Sequence, residues 1–264
     1  MAIRIWYQSF GLKDAMSAYH HALIKQISRV ADPEVEVTTH GIKRSIFEGK
    51  GYRVFLPIDI WQVVENIVTA EQEGYDAVAV GNFLDPGVDE GREAVNIPVL
   101  GLCETSLLYA STLAPKFSLI HQNDKWRSTV RERVVKYGLQ DKIASEATMQ
   151  LSIPLMVKSF TDSKSNDLCM QPFKEEVRKM IASGTELIIP SSGLLMALLV
   201  HNDLYEISGI PILDGVSVLI KWAEMAVKLN RITGICVSRG ATYKSAPKEA
   251  LKKMKEVYGP WNLG

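Results

Sequence analysis

Short apolar runs alternate with longer amphipathic stretches along the chain, and this alternation constrains the fold more than any other feature. Runs at 3–6, 35–38, 77–80, 99–102, 117–120, 143–146, 187–189 and 212–213 read as strands. Helical periodicity covers 14–30, 58–73, 88–95, 104–113, 124–137, 168–183, 193–206 and 215–229. Strand–helix alternation of this kind predicts parallel sheets flanked by helices. The continuous apolar character of Val78-Ala79-Val80 and Leu187-Ile188-Ile189 fits strands buried on both faces. With 264 residues, 47% of them apolar, the chain has ample material for a sizeable core. Segments 43–57 and 147–167 carry no clear period and read as lids or binding loops.

The alternation is also duplicated. Gly74-Tyr-Asp-Ala-Val-Ala-Val-Gly-Asn82 aligns without gaps on Gly184-Thr-Glu-Leu-Ile-Ile-Pro-Ser-Ser192. Further on, Ile97-Pro98-Val99-Leu100 matches Ile210-Pro211-Ile212-Leu213. Each copy is a strand, a small polar turn, a helix, then Ile-Pro and a second strand. Ligands bind outside the carboxyl ends of parallel strands, so the turns of the two copies are expected to face a shared cleft. The residues that follow predicted strands are Gln8, Ser9, Asn82, Glu104, His121, Ser191, Ser192 and Asp214.

Composition narrows the function classes. Thirty Lys and Arg balance thirty Asp and Glu, so the formal charge is zero, which argues against a nucleic-acid binder. The basic residues Lys244, Lys248, Lys252, Lys253 and Lys255 read as a solvated helix face. Cys103, Cys169 and Cys236 are odd in number and widely spaced, without a CxxC, so neither a disulfide framework nor a zinc ribbon is expected. The opening MAIRIWYQSF lacks the charged-then-apolar order of a secretory leader, and no apolar run reaches the roughly 18 residues of a membrane span. A cytoplasmic protein without membrane association is the expectation.

Five segments, in order, carry a resemblance: GNFLDPGVDEGRE, NIPVLGLCE, GTELIIPSSG, GIPILDGVSVLIKWAE and GICVSRGATYKSAP. They resemble the hydantoin/aspartate/glutamate racemase superfamily, the hydantoin racemase branch most. Asp85-Pro86-Gly87, the PILDG at 211–215 and the SRGATY at 238–243 are the most specific pieces. The resemblance implies an α/β fold of two pseudo-symmetric lobes, each a mostly parallel sheet flanked by helices. It places 1–105 with 215–264 in the first lobe and 106–214 in the second. It implies a small-molecule substrate between the lobes, no cofactor or metal, and a homo-oligomer. In the family a cysteine from each lobe works on opposite faces of the stereogenic carbon.

By the same alignment the first family cysteine falls at Asn82, and the second at Ser192, or at Ser191 if aligned on Gly193. Asn cannot serve as a base, and Ser serves only when a neighbouring base activates it. The expected chemistry is therefore hydrolysis or a lyase step on a small carboxylate, amide or cyclic imide. Ser192 or a water would attack, with His121 or Glu104 as base and Asn82 beside them. Gln8, Ser9, Ser191, Asp214 and Tyr243 are the expected binding residues. Asp85 is expected to shape its turn, and His20, His21, His40 and His201 to be structural. Two other readings stand beside this one: racemisation or epimerisation with non-cysteine bases, and a small-molecule binding protein without turnover. Trp6 and Tyr7 imply either a larger, more aromatic ligand or a partly filled pocket.

Overall fold

Two parallel sheets organise the chain in the computed structural model, which describes residues 2–12, 16–43, 52–247, 249, 250, 253, 256 and 257. Lys248, Lys252 and Lys255, the first residues of the expected 14–30 helix, and 44–51 of the first expected loop lie outside the described residues.

The first sheet has the order β2-β1-β3-β4, from Val35–Ile42, Ile3–Leu12, Ala77–Val80 and Val99–Gly101, with every pair parallel. The second has the order β6-β5-β7, from Ile143–Thr148, Phe117–His121 and Ile188–Pro190, again parallel. Strands β3, β5 and β7 are buried at every residue, which is why they read as unbroken apolar runs. The helices are α1 (Ser17–Val30), α2 (Leu56–Gln72), α3 (Val88–Ala94), α4 (Leu102–Leu113), α5 (Asp124–Lys136), α6 (Ile153–Lys158), α7 (Ser163–Ala182), α8 (Gly193–His201) and α9 (Gly215–Thr233). Helix α9 returns from the second sheet to pack on α4 and on the first sheet. Helix α8 is buried from Gly193 to Leu199, so its apolar character is not confined to one face: it packs against α1, α6 and α9 at once.

The duplication is visible in the backbone. Gly74 and Gly184 both close a helix in the left-handed region, at φ +76° and +91°. Val78 pairs with Val99, and Ile188 bridges Ile212, the two positions equivalent by the sequence repeat. The expected strand at 212–213 is reduced to that one bridge. The chain there also closes a short antiparallel hairpin of β8 (Glu206–Ile207) and β9 (Ile210–Pro211). The 147–167 segment is not a bare loop: it holds the end of β6, α6 and the start of α7. Helix α6 is opened by Ser152, whose side chain accepts from Leu155 N at 3.3 Å, and α7 by Asp162, which accepts from Ser165 N at 2.8 Å.

Two contacts join the sheets near their carboxyl ends. The Asp85 carboxylate accepts from Cys103 N and Glu104 N, each at 2.9 Å, and from the Tyr137 hydroxyl at 2.7 Å. It therefore caps α4 and ties the end of α5 to the first sheet. Burial pushes its pKa up to about 6 against those three donors. The second contact is between turns: a Cβ on Gly193 would lie 2.8 Å from the Gly81 carbonyl oxygen. Only a glycine lets the turn after β7 approach the turn after β3 this closely. Gly193→Ala is expected to lower unfolding free energy by about 1–3 kcal/mol, because the opposing atom is backbone and cannot rotate away. Urea unfolding of the two proteins measures it.

Candidate functional site

The end of β1 and the turns that follow β3, β5 and β7 converge on a cavity of about 60 Å³ between the two sheets. Ser9, Phe10 and Gly11 of β1 and Gly81-Asn82 after β3 form the first wall. Ser192, Gly193 and Leu194 after β7 and Gln122 after β5 form the opposite one. Met16 and Tyr19 of α1, Trp126 of α5 and Ile153 of α6 complete it. Of the residues named from strand ends, Ser9, Asn82 and Ser192 line this cavity.

No carboxylate, ammonium, guanidinium or imidazole is among the described residues lining the cavity. The one titratable lining group is Tyr19, whose hydroxyl burial pushes up to about 12, so it stays neutral. The polar atoms presented are amides and hydroxyls. Asn82 Oδ1 accepts from Leu84 N at 2.8 Å, an Asx turn that leaves its Nδ2 as the donor end. Ser192 precedes α8 without a side-chain capping bond. The opening N–H groups of that helix, on Gly193 and Leu194, are those a helix leaves unpaired, and they carry its positive end to the cavity.

Behind Ser192 runs a buried polar chain. Ser191 Oγ lies 2.7 Å from His121 Nδ1, and His121 Nε2 lies 3.1 Å from Glu146 Oε1. Arg131 Nε donates to the other Glu146 oxygen at 2.5 Å. The Ser191 carbonyl takes the Trp126 indole N–H at 2.5 Å. Ser191 and His121 are wholly buried, and neither lines the cavity. The chain thus ties the ends of β5, β6 and β7 together and holds the turn that presents Ser192. Desolvation lowers the His121 pKa, keeping the imidazole neutral. The His121 and Arg131 partners hold Glu146 down to about 2 despite its burial.

Across the first lobe, Ser9 Oγ lies 3.1 Å from His20 Nε2 and accepts from Gly11 N at 3.2 Å. His20, expected from the sequence to be structural, is thus in contact with a residue of the cavity wall. Its signal was the helical spacing of Met16, Tyr19, His20 and Leu23, which turns all four inward.

Several expected site residues stand elsewhere. Gln8 is buried, accepting from Trp6 Nε1 and Asn66 Nδ2 at 3.0 and 2.9 Å, because strand alternation turns it away from the face that Ser9 uses. Glu104 faces Arg92, with Nη1 to Oε1 at 3.2 Å, in a separate cavity beside Cys236 and Tyr243. Asp214 caps α9 through Ser217 N at 3.1 Å and holds Gln26 Nε2 at 2.7 Å. Tyr243 donates to Asp89 at 3.0 Å, and Arg239 grips the carbonyls of Arg92 and Val95 at the end of α3. The SRGATY segment straps α3 and does not line this cavity. Trp6 is within β1, which extends to Leu12, and stacks on His40 at 3.3 Å away from the cavity. The Tyr7 ring packs over Gly81, filling space behind the turn. Cys103, Cys169 and Cys236 do not line the cavity, and burial pushes each thiol pKa up. Among the described residues no cluster of three or more His, Cys, Asp or Glu is placed to hold a metal, and no helix is long and apolar enough to cross a membrane.

Comparison with known proteins gives a consistent picture. Residues 18–223 match the family model described as Asp/Glu/hydantoin racemase. A hydantoin racemase of Pseudomonas sp. (strain NS671) is 28% identical over 199 residues, 75% of each chain. In structure the chain is similar to an allantoin racemase from Klebsiella pneumoniae, with TM-score 0.79 and 22% identity over 94% of this chain and 95% of that one. A second allantoin racemase, from Pseudomonas fluorescens, has TM-score 0.77 and 20% identity over 93% and 98%.

The lowered Glu146 pKa fixes a pH dependence. Its folded value is depressed, so its stabilisation is present above the unfolded value of about 4.3 and is lost as pH falls toward 2. The stability gap between wild type and Glu146→Gln is expected to be largest above about pH 5, at about 1–2 kcal/mol, allowing for its solvent-facing oxygen. It should shrink on acidification, as read by denaturant midpoints from pH 7 to 3.

Proposed function

The chain belongs to the Asp/Glu/hydantoin racemase family, and from that premise we propose that it racemises or epimerises a small, uncharged cyclic ureide or imide of the hydantoin type. The single observation that carries this reading is the chemistry of the cavity wall. An aspartate or glutamate substrate brings two carboxylates and an ammonium, which once removed from water need more than the opening of one helix, above all charged side chains. The described lining offers none. A hydantoin-type ring brings neutral carbonyls and N–H groups, which amides and hydroxyls match one for one. The cavity volume of about 60 Å³ favours a compact ring over a long substituent.

The chain's own groups then divide the work. Carbonyl oxygen at the opening of α8 receives the Gly193 and Leu194 N–H groups, which stabilise the enolate charge that develops when the adjacent C–H is broken. Asn82 Nδ2 and Gln122 orient the ring edge. Ser9 on one wall and Ser192 on the other put a hydroxyl from each lobe on opposite sides of the ring.

Serine-mediated hydrolysis is less well supported. Through Ser192 it needs a base on that hydroxyl, yet His121 bonds Ser191, which stands behind it. The relatives described above are racemases by name, which supports proton transfer further.

The test is incubation in D₂O with single enantiomers of 5-substituted hydantoins, allantoin, glutamate and aspartate, followed by proton NMR and optical rotation. The expected outcome is loss of the α-proton signal and of rotation for a hydantoin-type ring, with glutamate and aspartate untouched. Turnover of the amino acids instead, or a cleaved product without α-exchange, would overturn the reading.

A further inference from the structure

Resting on that reading of the site, we propose that His20 is the proton acceptor behind Ser9, so that the Ser9–His20 pair carries the α-proton on the first-lobe face of the ring. Ser9 Oγ lies on the cavity wall and His20 Nε2 lies 3.1 Å behind it. A hydroxyl has one proton to give and two lone pairs to fill. Gly11 N–H fills one pair at 3.2 Å. The Tyr19 phenol beside Ser9 keeps its own proton, because burial pushes its pKa up to about 12. The phenol oxygen can accept a hydrogen bond from Ser9 but cannot take its proton, and the imidazole nitrogen 3.1 Å away is the group that can. A serine becomes a competent base under that condition alone.

The step balances. The substrate C–H bond breaks and its proton joins Ser9 Oγ, while the Ser9 proton moves to His20 Nε2. The C–H electron pair enters the neighbouring carbonyl as an enolate at the opening of α8, and the imidazole becomes imidazolium. The reverse passage returns a proton to the same face. In D₂O the imidazolium and the Ser9 hydroxyl both exchange with solvent before the return, so deuterium takes the proton's place on carbon. His20 does not touch the ring, and its action is through Ser9.

The pairing is local and was reachable only in three dimensions. β1 places Ser9 at its carboxyl end, and the first buried turn of α1 brings His20 back over it, with Tyr19 alongside. On the opposite wall His121 bonds Ser191, behind the lining, rather than Ser192. The two faces are therefore chemically unequal.

Two measurements on the full chain test the assignment. In the first, nitrogen NMR of labelled imidazoles reads the protonation of His20 Nε2 in the wild type, with Ser9→Ala as the comparison. The expected result is an unprotonated Nε2 that accepts from Ser9 and whose resonance moves in Ser9→Ala. A protonated Nε2 donating to Ser9 overturns the proposal, whatever the enzyme does with a substrate. In the second, α-deuteration of a hydantoin is timed in wild type, Ser9→Ala and His20→Gln. Glutamine keeps a polar atom near the Nε2 position but cannot take a proton. Both variants are expected to lose about 100-fold or more in kcat with KM little changed. Wild-type kcat in a folded His20→Gln overturns the proposal. If wild type itself does not exchange hydantoins, the site reading fails, and the nitrogen spectrum still decides the pair.

Discussion

The approach of the turn after β7 to the turn after β3 sets the geometry on which the rest depends. Gly193 faces the Gly81 carbonyl with no room for a side chain, so the two sheets meet at backbone distance. Everything that lines the cavity follows from that contact. It brings Asn82 and Ser192 to opposite walls and aims the opening N–H groups of α8 between them. The Asp85 carboxylate supports the same junction from the side, bonding α4 and Tyr137 together. Duplicated strand–turn–helix units are well suited to this, since two equivalent turns meet at one place and each supplies a wall.

Among the described residues, charge is kept close to this junction but off the cavity wall. Glu146, His121 and Arg131 form a chain that ends at Ser191, one residue behind the lining serine. Arg92 and Glu104 pair in a cavity of their own. Ionic groups thus brace the strand ends, while the wall itself presents amides, hydroxyls and helix N–H groups. Such a wall discriminates by the cost of burying charge, because a ligand with several charges would leave water with only the opening of α8 to meet one of them. The same low-dielectric setting makes each neutral hydrogen bond to a developing enolate stronger than it would be in water.

Much of the fold was legible because parallel strands buried on both faces are unbroken apolar runs, and Ala77–Val80 and Phe117–His121 carry that pattern without interruption. The repeat added the pairing, down to Ile188 opposite Ile212. The end of β1 was hidden because Gln8, Ser9 and Gly11 interrupt its apolar run. Helix α6 was hidden because it is short and opens on Ile153-Pro154. At the site, the strand-end rule found Ser9, Asn82 and Ser192 and also gathered Gln8, Glu104 and Asp214. Those three face other partners, since a strand end fixes where a residue begins and not where its side chain points. His20 escaped because its partner is 11 residues earlier on another element. Ser191 and Ser192 could be told apart only by which of them the backbone turns toward the opposing sheet.

The account stands or falls on a neutral ring sitting against the opening of α8. Backbone amide NMR, recorded while an unsubstituted hydantoin is titrated into the protein, tests this most directly. The expected result is that the largest shifts fall on the Gly193 and Leu194 amides and on the Asn82 side-chain amide, with glutamate at the same concentrations producing none there. Shifts confined to residues away from the two turns, or equal shifts with glutamate, would contradict it.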